Sequence, residues 1–525
     1  MLVLQEISKF LEQMGKSMDD FHLVPDYLGV TLDQRTTKEI ETERNIQFTE
    51  EDLLLSSKLN AGQKFAYSSI MKQVFSPKKQ SFFIDGPGGT GKTFLYRSIL
   101  ATLRSQGYIA IAVALSGIAV SILSGGRIAH SRFKIPLDIS GNKSCQVSKQ
   151  SSTAKLLIEA KLILWDEASM AKKEIIETFD MLLKDIMECD DPFGGKLVVF
   201  GGDFRQTLPV IKDATRDVLV QSSFVNSHLW TTLQKITLSE NIRAVMDHSF
   251  SEFLLRIGEG REPEDEDGKI SLCKDMTIPY DGKEASLNRL IESVFGDLNV
   301  YFSDPYQMIN RCILSGTNNV VDDVNQLIID RFPRDPHTYI SSDRTLNERD
   351  QGDYEDFLNS LNPKGLPPHK LILKENCPII LLRNLNPMEG LCNGTRLICR
   401  ELRHNTICAE IAVGQYRGKR VFLPKIPLQT SDSEKNGIPF KRTQFPVKLC
   451  FAMTINKSQG QTLDYVGIYL REPVFSHGQL YVAISRAKSS SAVKALIVPA
   501  TYRDVVTECK TRNVVFHEVL ELARQ

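Results

Sequence analysis

The chain has 525 residues, 42% of them hydrophobic and 24% charged, and 64 Lys+Arg balance 64 Asp+Glu to give a formal net charge of zero. This composition builds a packed core over roughly three or four domains and excludes a low-complexity or highly charged disordered chain. A nucleic-acid partner stays open, because a DNA track needs basic residues along one groove rather than a basic total.

No window approaches 18 consecutive apolar residues, which argues against a membrane span. The ten cysteines include no CxxC pair and read as reduced, buried thiols of an intracellular protein. Leu4, Ile7, Leu11 and Met14 recur at helical spacing, so residues 1–57 read as a helical, charged lead-in without evident chemistry. Its early acids and lack of a basic start do not fit a secretory signal. From Leu59 onward, strand-length apolar runs alternate with helical stretches. "SFFID" (81–85), "YIAIAVA" (108–114), "LILWDE" (162–167) and "KLVVFGGD" (196–203) each predict a buried strand, and the alternation predicts a parallel sheet covered on both faces.

The strand "SFFID" runs into "GPGGTGKT", comprising Gly86, Pro87, Gly88, Gly89, Thr90, Gly91, Lys92 and Thr93. This fits G-x-x-x-x-G-K-[ST], and a helical stretch follows it. Glycines let backbone amides wrap phosphates, and the helix N-terminus adds donors and a favourable dipole. Lys92 would reach the β- and γ-phosphates of ATP, and Thr93 would ligate Mg²⁺. "LILWDEAS" ends its strand in Asp166 and Glu167. Asp166 suits the metal side and Glu167 the attacking water, the alternative being a charge pair at a helix start. "GGDFRQTLPV" ends the next strand. There Gln206 is the candidate γ-phosphate sensor, with an ordinary polar loop as the alternative.

A second α/β region begins near Ile236, with "RCILSG" (311–316) as a strand and Asn319 to Arg331 as a helix. Short β-rich runs punctuated by Pro and Gly over about 365–445 predict a small inserted β-barrel. Parallel-sheet signals resume near Val447 with "VKLCFAMTI", "YVGIYL" and "VKALIVPA". The expected organisation is therefore a lead-in (1–57), a first α/β domain (58–235), a second split into 236–364 and 446–525, and an insertion at 365–445.

Together these pieces resemble the petite-integration-frequency (Pif) family of superfamily-one DNA helicases, most closely the helicase part of Helitron-type transposases and similar plant proteins. The resemblance spans about residues 57–500. It implies two RecA-like P-loop NTPase domains with an SH3-like insertion. "LNAGQKFAY" (59–67) resembles the adenine-binding Q motif, with Gln63 as reader. "LSENIRA" (238–244) and "HGQLYVAISRAK" (477–488) resemble the motifs that supply arginine fingers, Arg243 and Arg486. "ALSGIAVSILSGGRIAHSRFKIP" (114–136) resembles the strand-contacting block after the first helix, and "FAMTINKSQGQTL" (451–463), with "HGQLYVAISRAK", resembles the family's last two motifs. They make Ser116, Gly117, His130, Ser131, Thr454 and Ser458 candidate phosphate holders, and Phe133 a base-stacking candidate. Ile128 stands where the family usually has Thr. Residues 1–56 carry no paired-histidine nuclease pattern, so the chain reads as a motor alone.

The implied activity is ATP- and Mg²⁺-dependent 5′-to-3′ translocation on single-stranded DNA and unwinding of tailed or forked duplex by a monomeric motor. The implied roles are repair, recombination or telomere maintenance, in the nucleus or a mitochondrion. Two other readings stand beside it: an inert DNA-binding remnant of a transposase, and a ring-forming remodeller of proteins. Fingers and a second sheet within one chain weigh against the ring.

Overall fold

The structure, a computed structural model, describes residues 39–136, 144–243, 247–346, 357–363, 365–430, 439–499 and 509–525. The helix expected around Leu4 to Met14 lies outside these residues. No helix among the described residues is long and apolar enough to cross a membrane.

Six parallel strands form the first sheet. They are β1 (Phe82–Asp85), β2 (Ala110–Ala114), β3 (Arg127–Ile128), β4 (Leu162–Asp166), β5 (Val198–Gly202) and β6 (Gln234–Thr237), in the order β3-β2-β4-β5-β1-β6. The run "LILW" explains why the sheet must be covered twice. Leu162 and Leu164 enter one core with Phe82, Ile84 and Val199, while Ile163 and Trp165 enter the opposite core with Phe83, Val198 and Phe200. Helices α1 (Ala61–Val74) and α2 (Lys92–Ser105) cover the first face, and α3 (Lys173–Met187) covers the second. Asn60 starts α1 through a capping box with Gln63, which satisfies two otherwise orphaned amides.

The second parallel sheet has four strands: β7 (Arg311–Ser315), β8 (Ala452–Thr454), β9 (Tyr465–Leu470) and β10 (Val493–Ile497), ordered β8-β7-β9-β10. Between β7 and β8 the chain builds a five-stranded antiparallel sheet from Pro378–Leu381, Arg396–Leu402, Thr406–Ile411, Arg420–Pro424 and Val447–Leu449. Beside it lies a three-stranded sheet of Ser342–Thr345, Ile426–Gln429 and Phe440–Gln444 that sequence patterning did not reveal. That lobe is fastened by Arg442 and Asp343, both fully buried, with the guanidinium also donating to the carbonyls of Leu358, Leu361 and Pro367.

Three placements differ from the sequence reading. Ile236 pairs with Ile84 at the edge of the first sheet rather than opening the second region. Val447–Leu449 pairs with Pro378–Leu381 in the antiparallel insertion, so only the later half of "VKLCFAMTI" is parallel. The C-terminal helix α5 (His517–Arg524) returns to the first domain. Phe516, Val519 and Leu520 join its core, and the Trp230 indole donates to the Leu522 carbonyl at 3.1 Å. The physical reason is common to all three: apolar spacing reports that a face is buried, not which core buries it.

Candidate nucleotide and DNA sites

The P-loop lies at the C-terminal end of β1. Gly91 caps α2 in the left-handed region (φ 77°) and Gly89 has φ 97°, conformations that L side chains rarely adopt. Lys92 curls back to the Gly86 carbonyl. Gln63, the expected adenine reader, lies beneath the loop with both ends of its amide engaged. Oε1 accepts from the Asn60 amide, and Nε2 donates to the Thr90 carbonyl at 3.1 Å. Here it supports the loop.

Asp166 and Glu167 sit at the end of β4, both buried. Burial first, then the neighbouring Glu167 carboxylate, raises the Asp166 pKa well above the usual range, and Lys92 pulls it back. Glu167 adopts a left-handed backbone (φ 54°), strained for a residue with a side chain. Its Oε2 and the Oε1 of Gln206 are buried without a hydrogen-bond partner in the protein. Two orphaned acceptors beside a raised carboxyl, near Lys92, are a donor set that fits a divalent cation and an ordered water. Beneath them Tyr96 runs under the carboxylates, in space left by Gly201, where a Cβ would lie 1.7 Å from its hydroxyl.

Sequence reasoning passed over a polar network at the end of β5. The buried Asp203 accepts from the Arg205 amide (3.1 Å) and guanidinium (3.2 Å), Gln206 Nε2 (3.1 Å) and the Tyr481 hydroxyl (3.1 Å). Burial works to raise its pKa, but Arg205 and Lys92 outweigh it and the carboxyl stays below its ordinary value. Arg205 continues to Asp85 at the base of the P-loop and to Glu259 at the end of the helix His248–Gly258. The rule that singled out Asp166, a carboxylate at a strand's C-terminal end, also finds Asp203. Nothing local distinguishes Tyr481 from a core tyrosine.

The second domain closes over this site. The short helix α4 (Gln479–Ile484) brings the Tyr481 hydroxyl to the Gly88 amide, which donates to it at 2.8 Å. The Arg243 amide donates to Gly89, and its guanidinium donates to the Ser485 carbonyl at 2.8 Å. Burial, then Arg486, lowers its pKa to about 10. Arg486, expected as a second finger, donates to the carbonyls of Val482 (2.9 Å) and Gln461 (3.1 Å) and to Ser485 Oγ (2.9 Å), and lies near enough to Glu167 for that carboxylate to favour its charge. It fixes the segment whose Ser485 carbonyl holds Arg243. His477 ties the two domains together. Its Nε2–H donates to the Phe204 carbonyl (2.7 Å) while its Nδ1 accepts from the Phe516 amide (2.8 Å), and burial pushes its pKa down to about 4.

The candidate DNA residues divide into two groups. Ser116 follows β2 and caps a short helix through its hydroxyl. His130 is half-buried and Ser131 exposed on the neighbouring short helix Ala129–Phe133, and Thr454 ends β8 half-buried. Gly117 is buried beneath the insertion, where a Cβ would meet the Asn393 carbonyl at 2.3 Å. Two candidates are corrected. Phe133 is fully buried, its ring 4.4 Å from that of Phe179 and 5.8 Å from that of Trp165, so no base reaches it. Ser458 is fully buried, and its hydroxyl donates to the Ile455 carbonyl. Aromatic type and motif position suggested stacking for Phe133; the packing of α3 against the sheet took the ring into the core. The neighbouring Arg132 is likewise buried, paired with Glu39 and Glu43 of the lead-in.

Two family models match the chain: the PIF1-like helicase over residues 58–268, and the 2B domain of DNA helicase Pif1 over residues 356–402. The chain is 26% identical over 490 residues to the ATP-dependent DNA helicase PIF1 of Candida albicans, covering 81% of this chain and 53% of that protein. It is 27% identical to the Pif1 helicase of Bdellovibrio bacteriovorus, covering 79% and 83%. It thus spans 53–60% of the first two curated relatives, those of Candida albicans and Danio rerio. Among solved structures, a Bacteroides Pif1 bound to single-stranded DNA superposes with a TM-score of 0.59 at 23% identity, over 86% of this chain and 94% of that one. The Candida albicans Pif1 superposes with 0.59 at 22%, over 89% and 98%. At that identity the likeness is one of fold. Fold, motif order and sequence matches agree: the chain is similar to PIF1-like helicases, whose family model matches residues 58–268.

Proposed function

We propose that this chain is an ATP-driven DNA motor that couples hydrolysis in the cleft between its two parallel-sheet domains to movement along single-stranded DNA and to unwinding of tailed or forked duplex. One observation carries the reading. The P-loop of the first domain is roofed by Arg243 and by Tyr481 and Ser485 of the second, so a triphosphate bound there touches both walls of a cleft made by one polypeptide. Phosphoryl transfer needs positioning and charge stabilisation more than covalent help.

The P-loop amides and Lys92 hold the phosphates, Glu167 and Gln206 orient the attacking water, and Arg243 meets the charge that develops as the phosphoryl leaves. Arg486 holds the Arg243 platform. Thr93 and Asp166 would hold Mg²⁺, which would supply charge neutralisation on the phosphate oxygens. Changes at the cleft move the second domain relative to the first, and a bound strand is carried past Ser116, His130, Ser131 and Thr454. Gly117 joins that track only if the insertion lifts from it. Translocation runs 5′ to 3′ in a monomer, and repair, recombination or telomere maintenance in the nucleus or a mitochondrion are the settings that fit. The test is strand displacement on a 5′-tailed duplex by wild type and Lys92→Ala. Wild type unwinds with ATP and Mg²⁺, while the variant binds single strands without unwinding. Equal displacement by both proteins ends the proposal.

A further inference from the structure

The Tyr481 hydroxyl has two partners from the other domain: it accepts from the P-loop amide of Gly88 at 2.8 Å and donates to Asp203 Oδ2 at 3.1 Å. The residue is fully buried, and burial pushes its phenol far above the ordinary tyrosine range, so it stays a neutral donor and acceptor throughout the working pH range. Its ring passes Gly258, where an added Cβ would lie 2.9 Å from the ring carbon Cδ2. Space for the ring is therefore built into a second element of the fold. Neither bond is needed to pack a core tyrosine. Both are made across the cleft, to a P-loop amide at the end of β1 and to Asp203 at the end of β5, which also holds Gln206.

From this geometry we infer that Tyr481 is a positioning residue that competes with a phosphate group for the Gly88 amide and thereby reports nucleotide binding to the second domain. The inference rests on the ATP-motor reading above. An amide N–H has one hydrogen to give. A phosphate oxygen taking it from the phenol oxygen leaves that buried oxygen without its donor, which is costly. The ring relieves this only by moving, and it moves α4 with it. The Ser485 carbonyl, which holds Arg243, and the Asp203–Arg205–Glu259 chain are attached to the same displacement. Phosphate binding is thus opposed by a protein hydrogen bond, and part of its free energy is converted into motion of the opposing wall.

The sign of one substitution separates this role from a structural one. In Tyr481→Phe the ring stays and the competitor goes. Binding of a fluorescent AMPPNP by the full chain with Mg²⁺ should tighten by about 2- to 10-fold, the equivalent of one net hydrogen bond, and the KM for ATP should fall in parallel. A hydroxyl that merely braces the cleft, or that donates to the bound nucleotide, predicts weaker binding and a higher KM; that result, or no change, overturns the inference. Hydrogen exchange on wild type gives a second readout that does not depend on the variant folding. AMPPNP should alter exchange in the peptide spanning Gln479–Ile484 as well as in the P-loop, and a change confined to the P-loop also overturns the inference. If wild type binds no AMPPNP, or binds it as well after Lys92→Ala, the motor reading itself fails.

Discussion

Replacing His477 by glutamine should remove an acid-sensitive fastening between the two domains. The imidazole is fully buried and neutral, and both of its nitrogens are used: one donates to Phe204 of the first domain, and the other accepts from Phe516 beside the C-terminal helix. Its pKa lies at about 4 in the folded protein against 6.5 for the free side chain, with burial the main cause. The folded value is the lower one, so the unfolded chain takes up the proton first as pH falls. Stability is then full above about pH 6.5, is lost progressively below it, and the loss levels off below about pH 4. From those two values, the loss attributable to this residue at pH 5 is about 2 kcal/mol.

Glutamine can offer an N–H to Phe204 and an oxygen to Phe516 but does not titrate. Urea unfolding of both proteins at pH 7.5 and pH 5 measures the effect as a difference of differences, so any constant loss from imperfect glutamine geometry cancels. Wild type should lose about 2 kcal/mol more than the variant over that interval. Parallel losses would refute the assignment of a neutral, doubly bonded imidazole at this joint.

Phe133→Ala should cost about 3–5 kcal/mol of stability in chemical denaturation, as for a large aromatic removed from a packed core, while the folded protein keeps its affinity for single-stranded DNA. A stable variant with weakened DNA binding would restore the stacking role. Gly201→Ala should cost about 1–3 kcal/mol or more, because the new methyl would lie 1.7 Å from the buried Tyr96 hydroxyl. It should also lower ATP turnover by moving the ring that runs beneath Asp166 and Glu167; wild-type melting and turnover would mean that the ring is not confined as described. Asp343→Asn should cost about 3–5 kcal/mol by leaving the fully buried Arg442 without its counter-charge. Thermal unfolding matching wild type would show that the carbonyls around Arg442 suffice.

The P-loop, the acidic pair after β4, the strand cores of both parallel sheets and the presence of a β-rich insertion were all legible in the sequence. They rest on local rules: glycine where backbone must turn left-handed, carboxylates at strand ends, and unbroken apolar runs where a sheet is covered twice. What local rules do not encode is the partner across space. Phe133 carries the same motif context whether it faces a base or a core, and the packing of α3 decided for the core. An apolar stripe on α5 says that a face is buried, but only the tertiary structure chose the first domain over the second. Tyr481 and Gly88 lie 393 residues apart, and no spacing in the chain announces their hydrogen bond. The sequence determined the P-loop and the acidic pair that line the cleft. Closure of one domain upon the other decided which side chains guard it, because hydrogen bonds and buried charges depend on distances that only the folded chain sets.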